Sequence, residues 1–206
     1  MTNPLNTAAE GGKISNFVFT IRDWLGDLVV WPVLLYRRLR YGYTFRQIRM
    51  SGPKYAKVDP ADYKRLKGYE WIARKGTKSF YARRHVARGK GKKETLVYMH
   101  QEIIKVPEGM VIDHINQDGM DNRSANLRPA THSQNLCNSR RRLGTKSSKY
   151  KGVSWKKQSR KWTARIGIAK KEIHLGSFDN EVDAAKAYDE AAKKYHGEFA
   201  CLNFPK

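Results

Sequence analysis

Beyond Lys149 the apolar period of the chain changes once, and that change restricts the fold more than any other feature. "YKGVSW", "KWTARIGI" and "EIHLGSF" alternate apolar and polar residues as strands do, whereas "NEVDAAKAYDEAAKKYHG" repeats at helical spacing. Asn180 stands as the N-cap, Asp183 at the third helical position and Gly197 as the stop. Val182, Ala185, Tyr188, Ala192 and Tyr195 share one helix face. A sheet with one apolar face and a helix with one apolar stripe bury each other. Residues 149–206 are therefore expected to form a three-stranded antiparallel sheet packed on one helix. Trp162, Ala164, Ile166 and Ile168 should point inward from the middle strand, with Thr163, Arg165 and Gly167 outward. On the third strand Ile173 and Leu175 should face the helix, leaving Glu172 and His174 outward.

The outward positions introduce the charge. The chain has 41 Lys and Arg against 19 Asp and Glu, a formal charge of +22. Self-repulsion of that size opposes compaction unless a polyanion neutralises it. Double-stranded DNA is the leading partner and an anionic membrane surface the second; no small-molecule substrate is indicated. The two cysteines, Cys137 and Cys201, are far apart and lack a CxxC partner. That excludes a cysteine-built zinc site and a disulfide framework.

Upstream, the organisation is mixed. Residues 1–50 hold "WLGDLVVWPVLLY", a 13-residue apolar run from Trp24 to Tyr36 that contains Asp27 and Pro32. A membrane-spanning helix needs about 20 apolar residues. Two readings stay open: a helix packed on the next domain, or, less favoured, a helix of residues 14–40 lying in a membrane interface. Residues 55–142 read as an α+β unit. Asp59-Pro60 starts a short helix that Gly68 ends. "YEWIARK" and "SFYARRHVA" alternate as strands about a Gly76-Thr77 turn, and "ETLVYMHQEII" runs from strand into short helix. Residues 143–148, "LGTKSS", read as a linker.

Within that unit, "VIDHINQDGMDNRSANLRPATHSQN" ends a strand on Asp113-His114 and spaces asparagines behind it. An imidazole can take a proton from water near neutral pH. A carboxylate and an amide oxygen are hard ligands for a divalent cation. Thr131 and Gln134 form an S/T-x-x-Q capping box, which places Asn135 in the first turn of a helix. Strand, loop and helix would then bring Asp113, His114 and Asn135 together, a set suited to phosphodiester hydrolysis. Asn116 and Asn122 read as turn-forming residues, and His100 and His132 as structural histidines. Arg123 and Arg128 are candidate phosphate clamps without being diagnostic.

Asp113-His114, Asn126 and Asn135 stand at twelve- and nine-residue spacing with "DNRSANL" between, and "VYMHQEII" precedes them. In these residues the chain resembles the HNH homing endonucleases. The resemblance implies a ββα-metal nuclease module over residues 55–142 and DNA cleavage dependent on Mg²⁺ or another divalent cation such as Mn²⁺. Carried over by position, His114 is the general base, Asp113 and Asn135 are metal ligands, and Asn126 braces the loop and orients the histidine.

Gly152-Val153, Leu175-Gly176-Ser177-Phe178, the Ala-Ala-x-Ala-Tyr-Asp run from Ala184 to Asp189, and Leu202-Asn203-Phe204-Pro205 make residues 149–206 similar to the plant Apetala-two/ERF DNA-binding domain. The resemblance implies base- and phosphate-contacting roles for Lys151, Ser154, Lys156, Thr163, Arg165 and His174. Taken together, the two resemblances imply a sequence-directed DNA endonuclease of a bacterial or phage mobile element, cytoplasmic and associated with the nucleoid. A reader tethered by the linker would supply target choice through effective concentration. The alternative is a DNA-binding transcriptional regulator with an inactive nuclease module.

Overall fold

The computed structural model describes residues 29–76, 79–87, 89, 94–140, 147–169 and 171–205. Residues 14–28 of the expected interfacial segment, Thr77 of the expected turn and positions 143–146 of the expected linker lie outside the described residues. Contacts divide the chain into two units, Met1–Arg46 and Gln47–Lys206. In the first, a helix (α1) runs through residues 29–41 and exposes Trp31 and Leu39. The Arg37 guanidinium lies 4.3 Å over the Phe45 ring and also donates to the Phe45 carbonyl. Among the described residues no helix is long and apolar enough to cross a membrane.

From the boundary onward, β1 (Arg46–Arg49) pairs with β2 (Tyr55–Val58), and α2 (Pro60–Leu66) follows. Pro60 opens α2 as expected, because its ring presets the helical φ and the first amide needs no partner. Asp59 makes no side-chain cap to that helix. Its Oδ2 instead accepts from the Ser124 amide at 2.7 Å and ties a distant loop to the start of α2. Strands β3 (Ile72–Lys75), β4 (Phe80–Val86) and β5 (Thr95–Tyr98) form an antiparallel sheet in that order, and β5 runs into α3 (Met99–Ile103). Ile48, Ala56, Val58, Leu66, Trp71 and Met99 are buried together between these elements. The Trp71 indole N–H reaches the Leu66 carbonyl at 2.9 Å, which meets the need of a buried donor and of an open helix end at once.

Strand β6 (Val111–His114) then pairs antiparallel with β7 (Leu127–Ala130), and α4 (His132–Cys137) packs on both. Asp113 stands directly opposite Arg128 in this pairing. The Thr131–Gln134 capping box forms in both directions, at 3.2 and 2.8 Å.

The last part matches the period argument. Strands β8 (Val153–Lys156), β9 (Lys161–Ile168) and β10 (Lys171–Phe178) form a three-stranded antiparallel sheet with β9 central, packed on α5 (Glu181–His196). Asn180 caps α5 by accepting from the Val182 amide at 2.8 Å, and Gly197 ends it with φ 54°. The buried stripe of α5 ends sooner than the period suggests: Ala184, Ala185, Tyr188, Ala191 and Ala192 are covered, but Tyr195 is exposed. Ile173 is also exposed, although it pairs with buried Ile166, because β10 is an edge strand. Its pairing with β9 shifts between His174 and Gly176.

Buried Asp189 on α5 accepts from the Asn203 and Phe204 amides at 2.8 and 2.9 Å. Asn203 in turn bonds both backbone groups of Lys151, at 2.7 and 3.1 Å. One carboxylate thereby ties the C-terminal Leu-Asn-Phe-Pro segment to the start of β8. Next to it Gly152 has φ 76°, and a Cβ there would lie 1.9 Å from Tyr188 Cδ2 and 2.7 Å from the Arg165 carbonyl oxygen. Gly152→Ala is expected to destabilise the unit by about 3 kcal/mol, from overpacking and positive φ together. Urea unfolding measures the change, and a loss under about 1 kcal/mol would show that Tyr188 can yield at no serious cost.

Candidate active site

The β6–β7 hairpin and α4 converge on one small cavity of about 110 Å³. Asp113 and His114 line it from β6, Asn135 and Asn138 from the α4 end, and Tyr81 from β4. Asp113 and His114 are both buried. The cavity therefore gathers the expected acid, imidazole and amide.

Asp113 is the most heavily bonded of the three. Arg128 Nε and Nη2 approach its Oδ2 at 2.9 Å each, and Asn138 Nδ2 lies 2.9 Å from Oδ1 and 3.0 Å from Oδ2. The same Asn138 amide group donates to the His114 carbonyl at 2.9 Å. A carboxylate offers about four lone-pair positions. Oδ2 is crowded by donors, but Oδ1 carries one and keeps room for a cation. Asn138 was not among the expected site residues. Its signal is its spacing: three residues after Asn135, it returns to nearly the same helix face.

The His114 ring meets Asn122 rather than Asn126. Asn122, buried, places its Oδ1 3.3 Å from His114 Nε2. With an acceptor facing it, Nε2 carries the proton and Nδ1 is the basic nitrogen. Asn122 is thus a partner of the histidine rather than a turn former, and the left-handed backbone position in this loop belongs to Gln117, at φ 65°. Asn126 holds the loop: its side chain bonds the Asn116 amide at 3.0 Å, Asn116 Oδ1 at 3.0 Å and the Asp121 carbonyl at 2.7 Å. Arg123 pairs with Asp121 at 2.6 Å. Both candidate phosphate clamps, Arg123 and Arg128, therefore form internal ion pairs.

Behind His114 lies an aromatic stack. The His100 ring is 5.2 Å from it edge-on and 5.4 Å from Tyr98 face to face, and Tyr81 stands 5.7 Å from His114. Burial lowers His100 to about 3, with His114 adding to the effect. Burial also lowers His114, opposed by the Asn122 bond and by Asp113, Asp118 and Asp121. Both rings are neutral at pH 7.

The donor chemistry fits a hard divalent cation. Among the described residues no three His, Cys, Asp or Glu side chains cluster for a metal. One carboxylate with an amide oxygen is the sparse protein set that Mg²⁺ accepts when substrate phosphate and water complete its shell.

On the C-terminal sheet, register places Ser154 beside Thr163, and Arg165 beside His174, on one face; Lys156 shares the face of Ser154. Ser154, Lys156, Arg165 and His174 are exposed there. Thr163 is only 2% exposed, and its hydroxyl has no hydrogen-bond partner among the described residues. Lys151 turns away from that face, and its ammonium donates to the Cys137 carbonyl at the end of α4.

These two regions coincide with two family matches. Residues 105–137 match the HNH endonuclease model, and residues 148–198 match the AP2 domain model. The APETALA2-like protein 2 of Oryza sativa subsp. indica is 52% identical over 60 residues, 28% of this chain and 14% of that protein. The AP2-like ethylene-responsive transcription factor TOE2 of Arabidopsis thaliana is 42% identical over 72 residues, 35% of this chain and 15% of that protein. The PLT2 factor of the same plant is 45% identical over 60 residues, 11% of its length. The matched part thus spans about one seventh or less of these relatives. The chain combines a segment similar to the HNH endonucleases with an AP2 domain.

Proposed function

We propose that this protein is a DNA endonuclease that hydrolyses phosphodiester bonds with a divalent metal and is directed to its target by the AP2 domain. The reading takes β6, β7 and α4 as a ββα-metal module within residues 55–142, residues 143–148 as the linker and residues 149–206 as the reader. The observation that carries it is the single cavity lined by Asp113, His114 and Asn135.

In this reading, Asp113 Oδ1 and the Asn135 amide oxygen would hold Mg²⁺ or Mn²⁺, which supplies charge stabilisation at the scissile phosphate and the leaving oxygen. His114 Nδ1 takes the proton from the attacking water, while Asn122 fixes the tautomer through Nε2. Arg128 and Asn138 hold the Asp113 carboxylate in one orientation. Asn126 keeps the loop behind the histidine closed. Ser154, Lys156, Arg165 and His174 present the reading face to double-stranded DNA, while Thr163, buried beneath it, and Lys151, turned toward Cys137, support that face rather than contact the bases. Such a protein acts at the nucleoid. The relatives favour a second reading, because TOE2 and PLT2 are named as transcription factors. A regulator with an inert HNH segment would bind DNA and leave it intact.

Incubation of plasmid DNA with the protein and Mg²⁺, against an EDTA control, separates the two. His114→Ala is expected to lower the cleavage rate by about 10²–10⁴-fold with DNA affinity near that of the parent. Cleavage at the parent rate would remove His114 from the base role.

The neutral His100 ring gives a prediction about stability. Its folded pKa is about 3 against 6.5 for the free side chain. Between those values the unfolded chain binds a proton that the folded chain refuses, so stability falls with falling pH from 6.5 and levels off near 3. His100→Phe keeps the ring stack and removes this linkage. Its urea unfolding free energy is expected to fall less with acid than the parent's, by up to about 1.4 kcal/mol per pH unit. Parallel curves between pH 7.5 and pH 5 would place the acid sensitivity elsewhere.

A further inference from the structure

The expected linker suggests a reader free to swing about the nuclease segment, with affinity raised by tethering alone. The contacts across the two pieces point elsewhere. Arg128 donates through Nε to Asp113 Oδ2, with Nη2 also 2.9 Å from that oxygen, and its third nitrogen, Nη1, donates to the Glu198 carbonyl at 3.0 Å and lies 3.4 Å from Glu198 Oε2. The same guanidinium stands 3.8 Å over the Phe199 ring. Glu198 and Phe199 belong to the short turn Gly197–Phe199 that follows α5. Gln117 Nε2 lies 3.3 Å from Cys201 Sγ, and Lys151 reaches the Cys137 carbonyl.

One planar, rigid fork thus spans the site acid and the reader. A lysine ammonium at position 128 would lack the planar fork that meets both sides at fixed geometry. We propose that Arg128 is a positioning residue: it locks the AP2 domain onto the HNH segment and so fixes the offset between the bases read and the bond cut. The proposal rests on the nuclease reading for its second half, whereas the lock itself is a property of the DNA-free protein. The two halves fail separately. If docking rather than the linker sets the geometry, lengthening the linker should not move the cut. If the linker sets it, the cut should drift with linker length.

The test uses the full chain in three forms: parent, Glu198→Arg, and parent with about six Gly and Ser residues inserted between Gly144 and Thr145. Glu198 is 74% exposed, so its reversal to Arg repels Arg128 without opening a core. A short bismaleimide applied without DNA reports docking through Cys137 and Cys201, the chain's two cysteines. Sequenced ends from a binding-selected duplex pool digested with Mg²⁺ report the offset. Parent and insertion forms are expected to cross-link alike and to cut at one shared offset. Glu198→Arg should cross-link several-fold less and scatter its cuts over neighbouring bonds. Cuts that move with the insertion, or stay at one offset in Glu198→Arg after cross-linking is lost, overturn the proposal. A parent that cuts but does not cross-link overturns the lock alone. A parent that cross-links but leaves DNA intact overturns the nuclease reading and the offset with it, and leaves the lock standing.

Discussion

The ion pair of Asp113 with Arg128 sets the terms for everything around it. A carboxylate as buried as Asp113 is tolerated only when it is paired and its lone pairs are met. Breaking a buried pair by removing one partner costs about 3–5 kcal/mol, because a stranded charge remains. Cross-strand register supplies the partner, since Asp113 and Arg128 lie opposite each other on β6 and β7. A slip of one residue would send both to the wrong face. Asn138 adds donors from α4, so strand, strand and helix meet on one pair of oxygens. The arrangement that keeps a charge inside the fold also aims it into the cavity.

The C-terminal part solves a parallel problem with a different carboxylate. Asp189 is buried on α5 and is met by the amides of Asn203 and Phe204 rather than by a base. Asn203 passes the connection to Lys151. The chain end is held where Cys201 and the turn after α5 face the hairpin. This polar closure supplements a core built largely of alanine, whose side chains bury little area each.

Sequence reasoning succeeded where period or a short motif dictates geometry. The change from period two to helical spacing predicted β8, β9, β10 and α5, and the capping box at Thr131 placed α4. It failed where a partner comes from a distant element. Asn122 resembles any loop asparagine until β6 brings His114 to it. Arg128 was one basic residue among 41 until register set it opposite Asp113. Tyr195 keeps the helical period yet is exposed near the C-terminal end of α5. Asp59 has the sequence signature of a cap, yet its carboxylate went to Ser124.

Helix α4 shows how closely site and fold are joined. It has six residues, and none of its side chains is buried. Isolated helices shorter than about 12–15 residues are marginal in water, and α4 has no apolar face in a core to offset that. Its order comes from polar bonds: the capping box at its start, Asn138 on Asp113 and His114 at its end, and the Lys151 ammonium on the Cys137 carbonyl. The last of these places a cation where the helix dipole favours one. Asn135 therefore owes its place to the network that holds Asp113, and the network reaches the AP2 domain through Lys151 and Arg128. In this protein the arrangement of Asp113, His114 and Asn135 and the seat of the AP2 domain draw on the same few hydrogen bonds.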